Sequence, residues 1–219
     1  MMAAYLEQAE ALRPFYKHTP DLAGIKDAIA ARKGFANNRP LLVEELRKQY
    51  AAVPVSAKVE ENLALLLQPD TFTITTAHQP VIFTGPLYFI YKILHAIKLA
   101  ATLRQELPQY HFVPVFYMGS EDADLEELGS IYLGGEKITW ETKQTGAVGR
   151  MNTRGLEKIM QRAEGELSVL PHGKELVQLF KDNYLNSPDI QTATFRLVHA
   201  LFAEYGLLVL VPDNPRFKE

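Results

Sequence analysis

Two stretches constrain this chain most: "HFVPVFYM" at 111–118 and "GLLVLVP" at 206–212, each almost unbroken in apolar residues. A strand that is apolar at every position, not at every second one, has both faces covered, which is the pattern of a parallel sheet. A shorter β-branched stretch, "TFTIT" at 71–75, precedes a helix predicted over 86–104. Strands separated by helices give βαβ units with right-handed crossovers, and so an α/β, doubly wound sheet. Pro114 is at odds with this pattern, because proline cannot donate to a ladder. "SIYL" and "KITWET" read as a hairpin joined at Gly134–Gly135, a glycine pair suited to a tight turn. Further helices are predicted at 153–169, 173–185 and 190–204.

Residues 1–68 read as helical. Asp21 is an expected N-cap with Gly34 as a stop, and Pro40 suits a first turn. Ser56 is an expected N-cap, followed by Val59, Leu63, Leu66 and Leu67 on one face. The expected organisation is an N-terminal helical segment, 1–68, packing on a core of 69–219.

Charge and composition narrow the function. The net charge of −3 offers no basic field for a nucleic-acid backbone. There is no cysteine, so disulfides, CxxC zinc sites and a thiol nucleophile are excluded. Glu7 and Glu10 stand where a signal peptide needs an apolar run. Lys92, His95 and Lys98 interrupt the most apolar helix, which argues against a bilayer span. A soluble, cytoplasmic protein is expected.

Ligands of doubly wound sheets bind outside the carboxyl ends of the strands, which directs attention to loops 76–86 and 119–124. The first lies in "TTAHQPVIFTGPLYFIYK". A helix starting at Pro86 would bury Leu87, Ile90, Leu94, Ile97 and Ala101 and leave Tyr88, Lys92, His95 and Leu99 on its other side. Gly85 would be its cap, and its free amides would attract an anion, with His78, Gln79 and Lys92 in reach. The plainer reading is that Gly-Pro starts a helix and His78 is a hydrogen-bonded loop residue. In "GSEDAD", Glu121, Asp122 and Asp124 gather three carboxylates. Crowded like charges raise one another's pKa, which suits acid–base work; they would also receive an ammonium group, ribose hydroxyls or magnesium. Asp124 with Glu127 also matches a capping box. "TGAVGR" ends in Arg150 and reads as a phosphate-facing or simply mobile loop. Neither GxxxxGK[ST] nor GxGxxG nor HExxH occurs, and no serine has a nucleophile-elbow context. No metal site is expected, and Trp140 reads as packing.

The blocks "TTAHQPVIFTGPLYFIYKILHAIKLA", "VPVFYMGSEDADLEEL" and "TGAVGRM", in this order and spacing, resemble the bacillithiol biosynthesis cysteine-adding enzyme family, most strongly over residues 70–155. The resemblance implies a ligase that joins cysteine to glucosaminyl-malate. It implies a Rossmann-like parallel sheet similar to the nucleotidyl-transfer enzymes with HIGH-type motifs, and a long coiled-coil appendage. An adenylate route with ATP or another adenine nucleotide would follow from that core. Carried over to this chain, it makes His78, Glu121 and Asp122 the catalytic candidates. Gln79, Gly85, Tyr88, Lys92 and Asp124, with Arg150 from the third block, are the substrate- or anion-binding candidates. Two positions depart from the family pattern: Ala77 stands where glycine is frequent, and Ala123 where a histidine often separates the acids. Family enzymes are also much longer, so this chain corresponds to their N-terminal part. The incomplete sheet is expected to leave an edge strand and apolar faces uncovered, to be met by a partner, a second copy or the remaining segment. Two competing readings are an adenylyl-transfer enzyme for another carboxylic acid and a non-catalytic nucleotide- or anion-binding module.

Overall fold

The computed structural model describes residues 1–218, which form two compact units, Met1–Arg39 and a second from Pro40 onward. The first holds α1 (Met2–Leu6), a 3-10 turn (Glu10–Phe15) and α2 (Leu22–Arg32). As expected, Asp21 caps α2 by accepting from the Gly24 amide at 2.8 Å.

The second unit takes in α3 (Arg39–Tyr50) from its second residue onward, then α4 (Ala57–Leu65), capped by Ser56. Then come β1 (Thr71–His78), α5 (Tyr88–Glu106) and β2 (His111–Met118). The short α6 (Leu125–Leu128) leads to the hairpin of β3 (Ser130–Leu133) and β4 (Glu136–Thr139). After it come α7 (Leu156–Leu167), α8 (Gly173–Phe180), α9 (Ile190–Phe202) and β5 (Leu208–Leu210). In the hairpin turn both glycines have positive φ, 57° and 86°, the left-handed region that a two-residue turn of this type requires.

The main sheet is parallel, in the order β1-β2-β5. This is a Rossmann-like α/β arrangement with an incomplete sheet. Pro114 fits because β5 pairs only with residues 115–117 of β2. At Pro114 the strand has a neighbour on one side alone, so the missing donor is not required. The outer edge of β5 is closed by side chains. The Val209 amide donates to the Tyr50 hydroxyl at 2.7 Å. Gln49 donates to the Val209 carbonyl at 2.8 Å and accepts from the Val211 amide at 3.0 Å. One amide side chain thus stands in for the next strand, and these backbone groups are not left unpaired.

Two cores share α9. Phe195, Val198 and Phe202 join Leu63, Phe89, Val113 and Phe116 around the sheet. Ile190, Ala193 and Leu197 join Trp140, Leu156 and Tyr184 beside it. The loop Val81–Phe83 belongs to this second core, so the chain leaving β1 is anchored in a different hydrophobic cluster from β1's neighbours.

That anchoring corrects the expected helix start. Phe83, Thr84 and Gly85 all have positive φ, 51°, 72° and 55°. The turn they make delays the helix from Pro86 to Tyr88. The buried face of α5 is Phe89, Ile93, Ala96, Ala100 and Leu103, not the stripe through Leu87, Leu94 and Ala101. Phe89 sets this register by lying edge-on to Phe116 at 5.2 Å between ring centres. A β-branched residue at φ 72° is strained, and such strain persists only where its surroundings hold it. The buried Tyr184 hydroxyl provides that hold, accepting from the Phe83 amide at 2.9 Å. Changing Tyr184 to Phe should cost about 1–3 kcal/mol, the penalty for a buried amide left without a partner. Chemical denaturation of wild type and variant measures it.

Candidate functional site

The carboxyl ends of β1, β2 and β5 meet at a cleft of about 410 Å³. His78 and Gln79 come from the end of β1, Ser120 to Asp122 from the loop after β2, and Pro212 from the segment after β5. Tyr117, 38 % exposed at the end of β2, supplies an aromatic wall. Parallel pairing places these loops together: His78 is directly in register with Met118, so residues 79 and 119 leave the sheet side by side.

His78 is nearly buried, at 8 % exposure, and both ring nitrogens are engaged. Nδ1 lies 3.0 Å from the Gln79 carbonyl oxygen. A carbonyl can only accept, so Nδ1 carries the proton. Nε2 is then bare and accepts from the Tyr88 hydroxyl at 3.0 Å. Burial, helped by the charge of Lys92, lowers the His78 pKa below its ordinary 6.5 and outweighs the opposing pull of the Gln79 carbonyl and Glu127. The ring is therefore a neutral base of fixed tautomer near neutral pH. A folded-state pKa below the unfolded value means that the unfolded chain binds more protons between the two. The stability His78 contributes is complete above pH 6.5 and is lost as pH falls toward its folded pKa. Thermal melts from pH 7.5 to 5 should show this loss, and a His78→Gln chain should show less of it.

Asp122 is held by two donors. Its Oδ1 accepts from the Asp124 amide at 2.9 Å, and its Oδ2 from the Gln79 side chain at 3.1 Å. These bonds, the Asp124 amide first, lower its pKa below the usual 3.8. The expectation that crowding raises the pKa does not hold for Asp122, and the three carboxylates point to different partners. Glu121 meets Lys218 at 2.5 Å. Asp124 caps α6 by accepting from the Glu127 amide at 3.0 Å, but the Asp124 amide donates to Asp122 and not to Glu127, so the cap holds without the reciprocal half of a capping box. Among the described residues no three acids or histidines converge as a metal site.

Of the expected site residues, His78, Gln79, Glu121 and Asp122 share the cleft. Tyr88 reaches it only through His78. Gly85, Lys92, Asp124 and Arg150 do not line it. A Cβ on Gly85 would lie 2.3 Å from the Val81 side chain, so this glycine answers a local packing need as well as its positive φ. Lys92 donates to the Ala77 carbonyl at 2.5 Å. Arg150 grips Asp213 through two bonds of 2.6 Å, and this guanidinium lowers the Asp213 pKa. Pro212, Ser120 and Tyr117 line the cleft without being marked as site residues by the sequence motifs. The signal for Pro212 was available: "VPD" follows a buried strand just as "HQP" and "GSED" do.

A parallel sheet whose successive strand ends gather their loops over one cleft defines a Rossmann-like α/β domain with a ligand-binding edge. The family described as bacillithiol biosynthesis BshC, N-terminal Rossmann-like domain, matches residues 1–219, and the chain belongs to it. It is 42% identical over 215 residues to a proposed cysteine ligase BshC of Cytophaga hutchinsonii, covering 98% of this chain and 39% of that protein. The proposed cysteine ligase BshC of Flavobacterium johnsoniae is 39% identical over 216 residues, covering 98% and 41%. The chain thus spans about two fifths of the length of these relatives. Among the described residues no helix is long and apolar enough to cross a membrane.

Proposed function

We propose that this domain serves a ligase that joins cysteine to the amine of glucosaminyl-malate in bacillithiol biosynthesis, and that the cleft receives the amine partner. Membership of the BshC family and the relatives' designation as proposed cysteine ligases support the reaction class. The observation that carries the choice of ligand is the Asp122 carboxylate, kept ionised beside Glu121 and next to a neutral His78. An ionised acid holds an ammonium group, and a neutral imidazole can take its proton, leaving a nucleophilic amine. The C–N bond would form as an activated cysteine carboxyl loses its leaving group, with the amine proton passing to His78. His78 Nε2 would take that proton in place of the hydrogen bond that it accepts from Tyr88. Residues 69–219 would form the core part of this domain, acting in the cytoplasm on small molecules.

The residues present do not suit a triphosphate. The nearby cations are engaged, Arg150 with Asp213 and Lys218 with Glu121, and the cleft itself presents carboxylates. These residues therefore offer a site for an amine and not the anion site expected at the start of α5.

The test is a mass-spectrometric assay of a full-length family member with cysteine, glucosaminyl-malate and candidate activating nucleotides. Asp122→Asn should raise the KM for the amine substrate far more than that for cysteine. Equal effects on both substrates would refute the assignment of the cleft.

A further inference from the structure

We infer that Arg150 is a positioning residue: through its fork on Asp213 it fixes the width of the cleft, between the acids that follow β2 and Pro212 that follows β5. The inference rests on the cleft being the amine site of the ligase reading, and it gives Arg150 a part in that site without contact with the ligand.

The turn Val148–Arg150 is tied to two of the three segments that meet at the cleft. Its Val148 amide donates to the Asp122 carbonyl at 2.8 Å, and its Gly149 amide to the Ser120 carbonyl at 3.1 Å. These bonds fasten the turn along the loop after β2. The Arg150 guanidinium then holds both carboxylate oxygens of Asp213 at 2.6 Å. Asp213 directly follows Pro212, which lines the cleft. One short turn thus spans from the acid wall to the proline wall.

The turn is the rigid member of this contact. Val148 and Met151, which bracket Arg150 in the chain, are buried in the second core. The Ile190 amide at the start of α9 donates to the Met151 carbonyl at 2.9 Å. Segment 211–218, by contrast, has no buried residue and is held by side chains. From α3, Gln49 accepts from the Val211 amide at 3.0 Å and Glu45 from the Asn214 side chain at 2.8 Å. Toward the acid wall it is held by Arg150 and by Lys218 on Glu121. An ammonium is a point charge, whereas a planar fork fixes direction as well as distance. The Asp213 side chain is only 9% exposed, so without its partner the carboxylate would have little water to replace the fork, and the segment would have to shift.

Hydrogen exchange and kinetics test this separately. In this chain, Arg150→Met should speed exchange of the Asn214 and Phe217 amides at least about fivefold and leave the Val148 and Gly149 amides protected as before. Unchanged exchange at 214 and 217 would overturn the inference. So would an equal increase at all four, which is general loosening. Arg150→Lys keeps the charge and loses the fork, so it should act like the methionine change; wild-type exchange in it would show that charge alone suffices and would overturn the role of the fork. Asp213→Asn, nearly the same in shape, reads the same tie from its other end should Arg150→Met fail to fold. In a full-length family member with this pair, Arg150→Met should raise the KM for the amine substrate about tenfold while kcat falls less than about threefold. A loosened segment with an unchanged KM would overturn the positioning role. A wild-type protein without ligase turnover would refute the ligase reading instead, and the exchange pattern would still decide whether Arg150 holds the cleft.

Discussion

His78→Ala in a full-length family member should lower kcat by about 10²–10⁴-fold, the range for loss of a positioned general base. The neutral state and the tautomer are both set by the fold: burial lowers the pKa, and the Gln79 carbonyl accepts a hydrogen bond from Nδ1–H. Loss of the ring also leaves the Tyr88 hydroxyl without its acceptor. Tyr88→Phe should therefore produce a smaller loss and move the acidic limb of the pH–rate profile. If His78→Ala turns over at the wild-type rate, the proton passes elsewhere and the proposed role is wrong.

Gly149→Ala should be strongly damaging. A Cβ there would lie 2.5 Å from the Ser120 carbonyl oxygen and 2.7 Å from its Cβ. Neither neighbour can swing away, because the oxygen is backbone and already accepts from the Gly149 amide at 3.1 Å. The loop after β2 must move, and Glu121 and Asp122 with it. Overpacking of this kind costs about 1–3 kcal/mol, and here it should also reduce activity. Urea denaturation gives the first quantity and the mass-spectrometric assay the second. Wild-type stability in the variant would mean that the two loops yield more easily than their hydrogen bond suggests.

The sheet was legible because it rests on strong, local patterns. The unbroken apolar runs specify strands covered on both faces, and β2 and β5 lie within them. The caps at Asp21, Ser56 and Asp124 were legible for the same reason, each being a side chain bonded to an amide three residues on. The face of α5 was not. Its register depends on Phe83 and Thr84 taking left-handed conformations, held by a tyrosine about a hundred residues away. Periodicity carries no trace of such a contact.

The site was legible in half. His78, Gln79 and Asp122 stand in unusual sequence at strand ends, and the structure joins them. Arg150 and Lys92 looked like free cations because the carboxylate and the carbonyl that engage them come from other segments. Pro212 escaped both motifs because they mark two strand ends and the cleft is built from three.

The bond between Phe83 and Tyr184 spans 101 residues, and this sets an order of events on the ribosome. β1 and its loop emerge early, but the strained turn cannot be held until Tyr184 has left the exit tunnel. At roughly 5–20 residues per second that is a delay of about 5–20 s. The turn beside the cleft should thus mature late, and a translational pause between these two residues would prolong an interval in which the loop after His78 is open to proteolysis.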